Sequence, residues 1–344
     1  MDDVARIPPA DRRDLFTASA SMRALSVVIV EKDFWVCWVL KQLFSLPDPP
    51  AGLVFKGGTS LSKVWGVIDR FSEDVDLSFN RSDLGFGGDA DPARAPSTKK
   101  RDRQLEQLSA ACAAMIRDQF VPRLNEAFPN ALGTAAGDNW RLEIDPDDEQ
   151  SVLFHYPTNV PRGSGDDAAY LRTVVKLELG ARSEHWPSEE GEVRPFAAED
   201  FPSAFRSPAG RVKVVSAERT FWEKATILHS WYHAAPDRPL RNRQSRHYYD
   251  VFKLFQSPLG KKAVNDRGLL KSVALHKSVF FASASARYDQ AVPGTLRLVP
   301  PDSRLPELER DYAFMRNEMI FGNAPSLAEI VDVLREIERQ VNGG

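Results

Sequence analysis

The segment between Leu53 and Phe79 limits the possible folds of this chain more than any other. Leu53-Val54-Phe55 is a short apolar run of strand type, and Lys56-Gly57-Gly58-Thr59-Ser60 carries it straight into a helical pattern ending near Trp65. Fifteen residues separate Gly58 from Asp74, enough for a short helix and its return. The run Asp74-Val75-Asp76-Leu77-Ser78-Phe79 then alternates with the two-residue period of a strand. Val75, Leu77 and Phe79 share one face, so Asp74 and Asp76 fall together on the other. Two strands joined through a glycine turn and a helix need a sheet to belong to, and this part of the chain reads as an α+β domain.

The flanking sequence extends that reading. Upstream, residues 21–44 form one helix with a broad apolar face that includes Leu25, Phe34, Trp35, Trp38 and Leu43. Leu46-Pro47-Asp48-Pro49-Pro50 ends it, because proline lacks a backbone donor and pushes its predecessor away from helical angles. Downstream, residues 82–96 are rich in Gly, Asp and Pro and read as an exposed loop. A long helix is expected over 97–128, and strands over 140–144, 152–156 and 172–179. From Ser216, a good N-cap, the pattern stays helical: 217–233, 245–255, several shorter helices within 259–321, and 327–341. The last opens with Ser326 and Glu329 in capping-box spacing. The expected organisation is an α+β domain over residues 1–210, with a mixed sheet and flanking helices, followed by an all-α domain over 211–344.

Composition sets the outer limits. With 42% hydrophobic residues the chain fills a sizeable core without cross-links. Cys37 and Cys112 lie in apolar helical stretches and read as buried thiols of a reducing compartment, and no Cys or His spacing suggests a metal site. Residues 1–14 are too polar for a signal peptide, and the longest apolar run, 34–40, is far too short to cross a bilayer. A cytoplasmic protein without membrane contact is therefore expected. The net charge of −3 means that any hold on nucleic acid must come from a local basic patch.

Asp74 and Asp76 on one strand face suit a divalent cation, since Mg²⁺ (or Mn²⁺) takes oxygen ligands and often only one or two carboxylates from the protein. Gly57-Gly58-Thr59-Ser60, between strand and helix, suits phosphates, because backbone N–H groups and the positive helix end point at whatever sits there. Each element also has an ordinary reading: two solvated carboxylates in the first case, a plain turn in the second. Their order along the chain is what makes transfer chemistry on a nucleoside triphosphate (NTP) the better account, and it resembles the nucleotidyltransferase fold of the polymerase-β superfamily.

The resemblance narrows on longer motifs. Phe55-Lys56-Gly57-Gly58-Thr59-Ser60-Leu61-Ser62-Lys63-Val64-Trp65, followed by Arg70-Phe71-Ser72-Glu73-Asp74-Val75-Asp76-Leu77, resembles the first motif of the AbiEii/MenT nucleotidyltransferase toxins. Glu218-Arg219-Thr220-Phe221-Trp222-Glu223-Lys224 and Arg246-His247-Tyr248-Tyr249-Asp250 are similar to that family's later Lys and Arg-x-x-x-Asp motifs, and Glu31-Lys32-Asp33 is also familiar. The resemblance implies that Asp74 and Asp76 bind the catalytic metals. It implies that Ser72, Thr59, Ser60, Lys63 and Arg246 belong to the NTP site with Gly57 and Gly58. Lys224 would hold phosphate charge, Asp250 would complete the polar site, and Glu178 would stand as a third carboxylate for the incoming hydroxyl.

The residues alone keep plainer alternatives open: an exposed strand side chain for Glu178, a snorkelling stem for Lys224, and an i,i+4 surface pair for Arg246 and Asp250. The implied activity is transfer of nucleotide from an NTP to RNA, at the 3′ end of tRNA, blocking translation, with a cognate antitoxin as a further partner. Arg238, Arg241 and Arg243 form a basic loop that suits an RNA backbone or is simply solvated. Two other functions compete: transfer to a protein or small-molecule acceptor, and a catalytically silent module that binds NTP or an antitoxin.

Overall fold

The computed structural model describes residues 1–343 apart from 135, 136, 138, 159, 161–172, 236 and 241. In chain order the first elements are α1 (Asp2–Ala5), α2 (Pro9–Arg23), α3 (Val27–Phe44), β1 (Leu53–Lys56), α4 (Gly57–Lys63) and β2 (Val75–Phe79). Then come α5 (Thr98–Met115) and α6 (Val121–Leu132), joined by a π-helical turn over Ile116–Phe120. Five more strands follow with one short helix: β3 (Arg141–Asp145), β4 (Asp148–His155), β5 (Val174–Gly180), β6 (Ser188–Val193), α7 (Phe196–Asp200) and β7 (Gly210–Val215). The chain ends with α8 (Ala217–Tyr232), α9 (Ser245–Gln256), α10 (Pro258–Asn265), α11 (Arg267–Phe280), α12 (Leu305–Glu318) and α13 (Leu327–Asn342).

The chain divides into two compact units. The first comprises Met1–Val64, Glu73–Asp91 and Arg103–Val214, and the second comprises Trp65–Ser72, Pro92–Asp102 and Val215–Gly344. The contiguous split expected at 210 thus differs from the structure in two ways. β7 continues past 210 because Val214 pairs parallel with Phe55 of β1. Residues 65–72 belong with the helical unit because Phe71 N–H donates to Met319 O and Phe321 N–H donates to Asp69 O, each at 2.7 Å.

The first unit is built on a seven-stranded mixed sheet of order β3-β4-β5-β2-β1-β7-β6. β2 runs antiparallel to β1 and parallel to β5. Its registers explain its two faces. Phe55 lies opposite Leu77 and Leu77 opposite Leu179; Val75 lies opposite Leu177 and Leu177 opposite Val152. All six are at most 5% exposed, and α3 covers their side of the sheet. Trp38 stacks on Phe154 at 5.7 Å and meets Phe128 of α6 edge-on at 4.9 Å, and Trp35 stacks on Tyr156 at 5.7 Å. Burying one such aromatic contributes about 1.5–3 kcal/mol, so this layer anchors the sheet on one side. The polar row of β2 is left for the other.

One helix expected over 21–44 is two. Ala24 adopts a left-handed conformation (φ 53°) that ends α2, and Ser26 restarts the chain by accepting from Ile29 N–H as the N-cap of α3. In the second unit the N-cap at Ser216 and the capping box of Ser326 and Glu329 form as the sequence suggests. No helix among the described residues is long and apolar enough to cross a membrane.

Candidate active site

A polar row crosses the sheet on the face away from α3. Lys56 lies opposite Asp76, Asp76 opposite Glu178, and Glu178 opposite Ser151. Directly paired residues point the same way, so β1, β2, β5 and β4 each give one side chain to this row. Asp74 precedes β2 by one residue and lies two before Asp76, which by alternation joins it to the same side. The three carboxylates read from sequence in this unit are thereby brought together.

The turn before α4 is fitted to them. Gly57 has φ +82°, and a Cβ there would come within 2.0 Å of Asp76 Oδ2. Only glycine satisfies both the left-handed backbone and that approach. The Thr59 hydroxyl donates to Asp74 O, and the Ser60 hydroxyl donates to Gly57 O at 2.8 Å. Both side chains are buried, and these two bonds set the spacing between turn and strand. Lys63 is buried as well. Its Nζ lies 2.7 Å from Asp33 Oδ1 and 4.0 Å from the centre of the Phe196 ring. Burial opposes its charge, but Asp33, with Cys37 and Glu199 adding to it, raises its pKa on balance.

The row carries more negative charge than its neighbours neutralise. Burial, and then repulsion from Glu73, Glu178 and Asp76, lifts the Asp74 carboxyl to about 6, with Lys32 pulling the other way. Lys56 Nζ reaches Asp76 only at 3.9 Å. Lys176 Nζ divides itself between Glu178 and Asp145 at 3.5 Å each, and the Glu178 side chain is 45% exposed. Among the described residues no three His, Cys, Asp or Glu side chains are grouped so as to enclose a cation. The donor set nonetheless fits Mg²⁺, a hard ion that commonly takes one or two carboxylates and completes its shell with water and substrate phosphate. Such an ion would relieve the repulsion that adds to burial in raising the Asp74 pKa.

The second unit holds a different constellation. Arg70 Nε and Nη2 donate to the two oxygens of Asp250 at 2.7 Å each, and Lys224 Nζ lies 2.7 Å from Asp250 Oδ2. Asp250 is fully buried. Burial alone would raise its pKa, but Arg70 and Lys224 hold it well below the usual carboxylate range. The Lys224 pKa is lowered, by burial first and by Arg70 in addition, although Asp250 opposes this. The sequence singles out Lys224 and Asp250, and it places Arg70 at the head of the Ser72–Leu77 motif without giving it a role in the site. Asp250 spends its oxygens on Arg70 and Lys224, and Arg246, one turn before it on α9, is half-buried. Ser72 is half-buried.

The basic loop is anchored through its backbone. Arg304 donates to Arg238 O at 2.7 Å, Glu307 accepts from Leu240 N–H at 2.7 Å, and Asp311 accepts from Arg243 N–H at 2.6 Å. Arg238 is exposed, Arg243 is half-buried with φ 65°, and Arg241 lies outside the described residues.

A family model described as "Nucleotidyl transferase AbiEii toxin, Type IV TA system" matches residues 38–334. Among solved structures, one similar in fold is MenT4, a nucleotidyltransferase toxin from Mycobacterium tuberculosis H37Rv. The TM-score is 0.53 at 16% identity, covering 96% of this chain and 90% of that one. No curated protein sequence matches.

Proposed function

This chain belongs to the AbiEii nucleotidyltransferase toxin family, and on that premise we propose that it moves a nucleotide from an NTP to the 3′ end of a tRNA, blocking translation. The carrying observation is the under-neutralised row of Asp74, Asp76 and Glu178 beside a turn that only glycine can form. In the proposed reaction the acceptor hydroxyl oxygen bonds to the α-phosphorus, the bond to the bridging oxygen breaks, and pyrophosphate leaves. The hydroxyl proton passes to the carboxylate of Glu178, the more exposed member of the row. A divalent cation, Mg²⁺ or Mn²⁺, held by Asp74 and Asp76 supplies Lewis-acid stabilisation of the phosphate charge.

Gly57 and Gly58 leave the turn free of bulk for the triphosphate, while Thr59, Ser60 and Lys63 keep that turn in place. Ser72, Arg246 and Lys224 are the groups we assign to phosphate charge, with Asp250 orienting Lys224. The proposal includes a cognate antitoxin, as the family description names a toxin–antitoxin system.

Incubation with total tRNA and each labelled NTP in turn, with Mg²⁺, tests the reading. One or more nucleotides should label the tRNA 3′ end, and EDTA should abolish the label. Replacing Arg238, Arg241 and Arg243 with Gln should raise the KM for tRNA and leave the KM for NTP unchanged. The slope of log affinity against log salt should become shallower by about 0.7–0.9 per lost phosphate contact. Label appearing on a protein or small molecule and never on RNA would replace the acceptor.

A further inference from the structure

Helix α3 carries three successive charged residues, Glu31, Lys32 and Asp33, each no more than 4% exposed. Charges are seldom buried without a purpose for each. Glu31 accepts from the Thr158 hydroxyl at 2.7 Å. Asp33 holds Lys63 at the end of α4 and accepts from Phe196 N–H, both at 2.7 Å. Lys32 reaches forward to Glu73, with Nζ 2.6 Å from Oε2 and both side chains largely buried. One helix thus grips both ends of the active-site motif: the residue that closes α4 and the residue that precedes Asp74.

The position of Glu73 matters because of the alternation that β2 imposes. Glu73 has the parity of Val75 and Leu77, whose face is covered by α3, and Asp74 has the parity of Asp76. A shift of one residue exchanges the two faces. Within Glu73-Asp74, two acidic residues side by side, composition gives no preference for which of them turns toward Asp76. We propose that Lys32 is a positioning residue for nucleotide transfer: by holding Glu73 on the α3 side of the sheet, it delivers Asp74 to the side of Asp76 and Glu178. This inference rests on the reading of Asp74 and Asp76 as cation ligands.

The test uses the full chain and Mn²⁺ alone, followed by electron paramagnetic resonance without nucleotide or acceptor, together with the transfer rate and the melting temperature. The unaltered protein should bind Mn²⁺, and Asp76→Ala should abolish that binding. If the unaltered protein binds no Mn²⁺ that Asp76→Ala removes, the metal reading falls and takes this inference with it. Lys32→Met keeps the buried stem but removes the ion pair to Glu73. Mn²⁺ affinity should fall about 10-fold or more, and kcat should fall similarly with a smaller change in the KM for NTP, the scale seen when an outer residue that orients a metal ligand is lost.

The double variant Lys32→Met with Glu73→Met guards against simple misfolding, since an apolar pair commonly replaces a buried ion pair without loss of stability. An apolar side chain in place of Glu73 keeps the α3 side by burial, so Mn²⁺ affinity and kcat should return toward those of the unaltered protein. A Lys32→Met protein that only melts earlier, with unchanged Mn²⁺ affinity, would overturn the proposal. So would a folded double variant that binds Mn²⁺ no better than Lys32→Met.

Discussion

The acidic row of the first unit and the buried triad of the second are both made of charged side chains, yet they dispose of that charge in opposite ways. Around Asp250 two cations meet one carboxylate within 2.7 Å, and the carboxyl is driven firmly to its ionised form. Around Asp74 three further carboxylates contribute repulsion, one lysine opposes them, and the pKa rises to about 6. A cluster that closes on itself holds its own members in place. A cluster left short of positive charge carries a stability cost that the proposed cation would relieve.

The sharpest way to break this contrast is to remove one carboxylate from each. Asp74→Ala or Asp76→Ala should reduce transfer by about 10³-fold or more, since several kcal/mol of charge stabilisation depend on the bound cation. The melting temperature should hold or rise, because repulsion is relieved. Asp250→Asn should do the reverse to the fold: leaving Arg70 and Lys224 buried without their anion should cost about 3–5 kcal/mol in denaturant unfolding. If Asp74→Ala unfolds the protein and Asp250→Asn leaves its stability intact, the two regions have been assigned the wrong way round.

A finer division lies within the triad, where Lys224 has been given a part in the chemistry. Lys224→Met keeps the stem and removes the ammonium, with Arg70 still bound to Asp250. We expect about 2–4 kcal/mol of lost transition-state stabilisation, as for removal of one preorganised donor, read as kcat/KM. An active Lys224→Met protein of lowered stability would make Lys224 as purely structural as Arg70.

The smallest effect is a pair of opposed pH slopes. Burial lifts Glu31 to about 7, although Thr158 and Arg12 work against this. Its folded pKa lies above its unfolded one, so its contribution to stability is present below about 4.5 and fades as pH rises through about 7, on the order of 3 kcal/mol. Asp250 has a depressed pKa, so its contribution is complete above the ordinary carboxylate range and declines as pH falls below about 4. Melting curves should show Glu31→Gln flattening the slope between pH 5 and 7 only, and Asp250→Asn flattening the acid limb only.

What the sequence disclosed follows the same contrast between local and distant. The carboxylates of β2 were legible because alternation is a local signal, and Gly57-Gly58 because glycine before a helix is one too. The row that joins Lys56, Asp76, Glu178 and Ser151 was not, since register between β2 and β5 joins residues about a hundred apart and leaves no mark in either strand. The role of Arg70 escaped because nothing in the motif that it opens betrays a partner 180 residues away. β6 was missed because its Ser-Glu-Glu-Gly-Glu-Val sequence is that of a charged edge strand with hardly any apolar face. β7 did carry a signal, with Val212 and Val214 buried between exposed Arg211 and Lys213.

The bond between Arg70 and Asp250 also sets a timetable. A ribosome makes Arg70 some 180 residues before its partner, and the bridge that seats Arg70 beside Ile320 waits for later residues still. The Lys32–Glu73 pair and the Thr59–Asp74 bond can form early, whereas the Arg70–Asp250 pair must wait, because closing so long a loop must come before the contact can reward it. The anchors of Asp74 are therefore made well before the triad of the second unit is complete. The two clusters thus differ in when they can form as well as in how they dispose of charge.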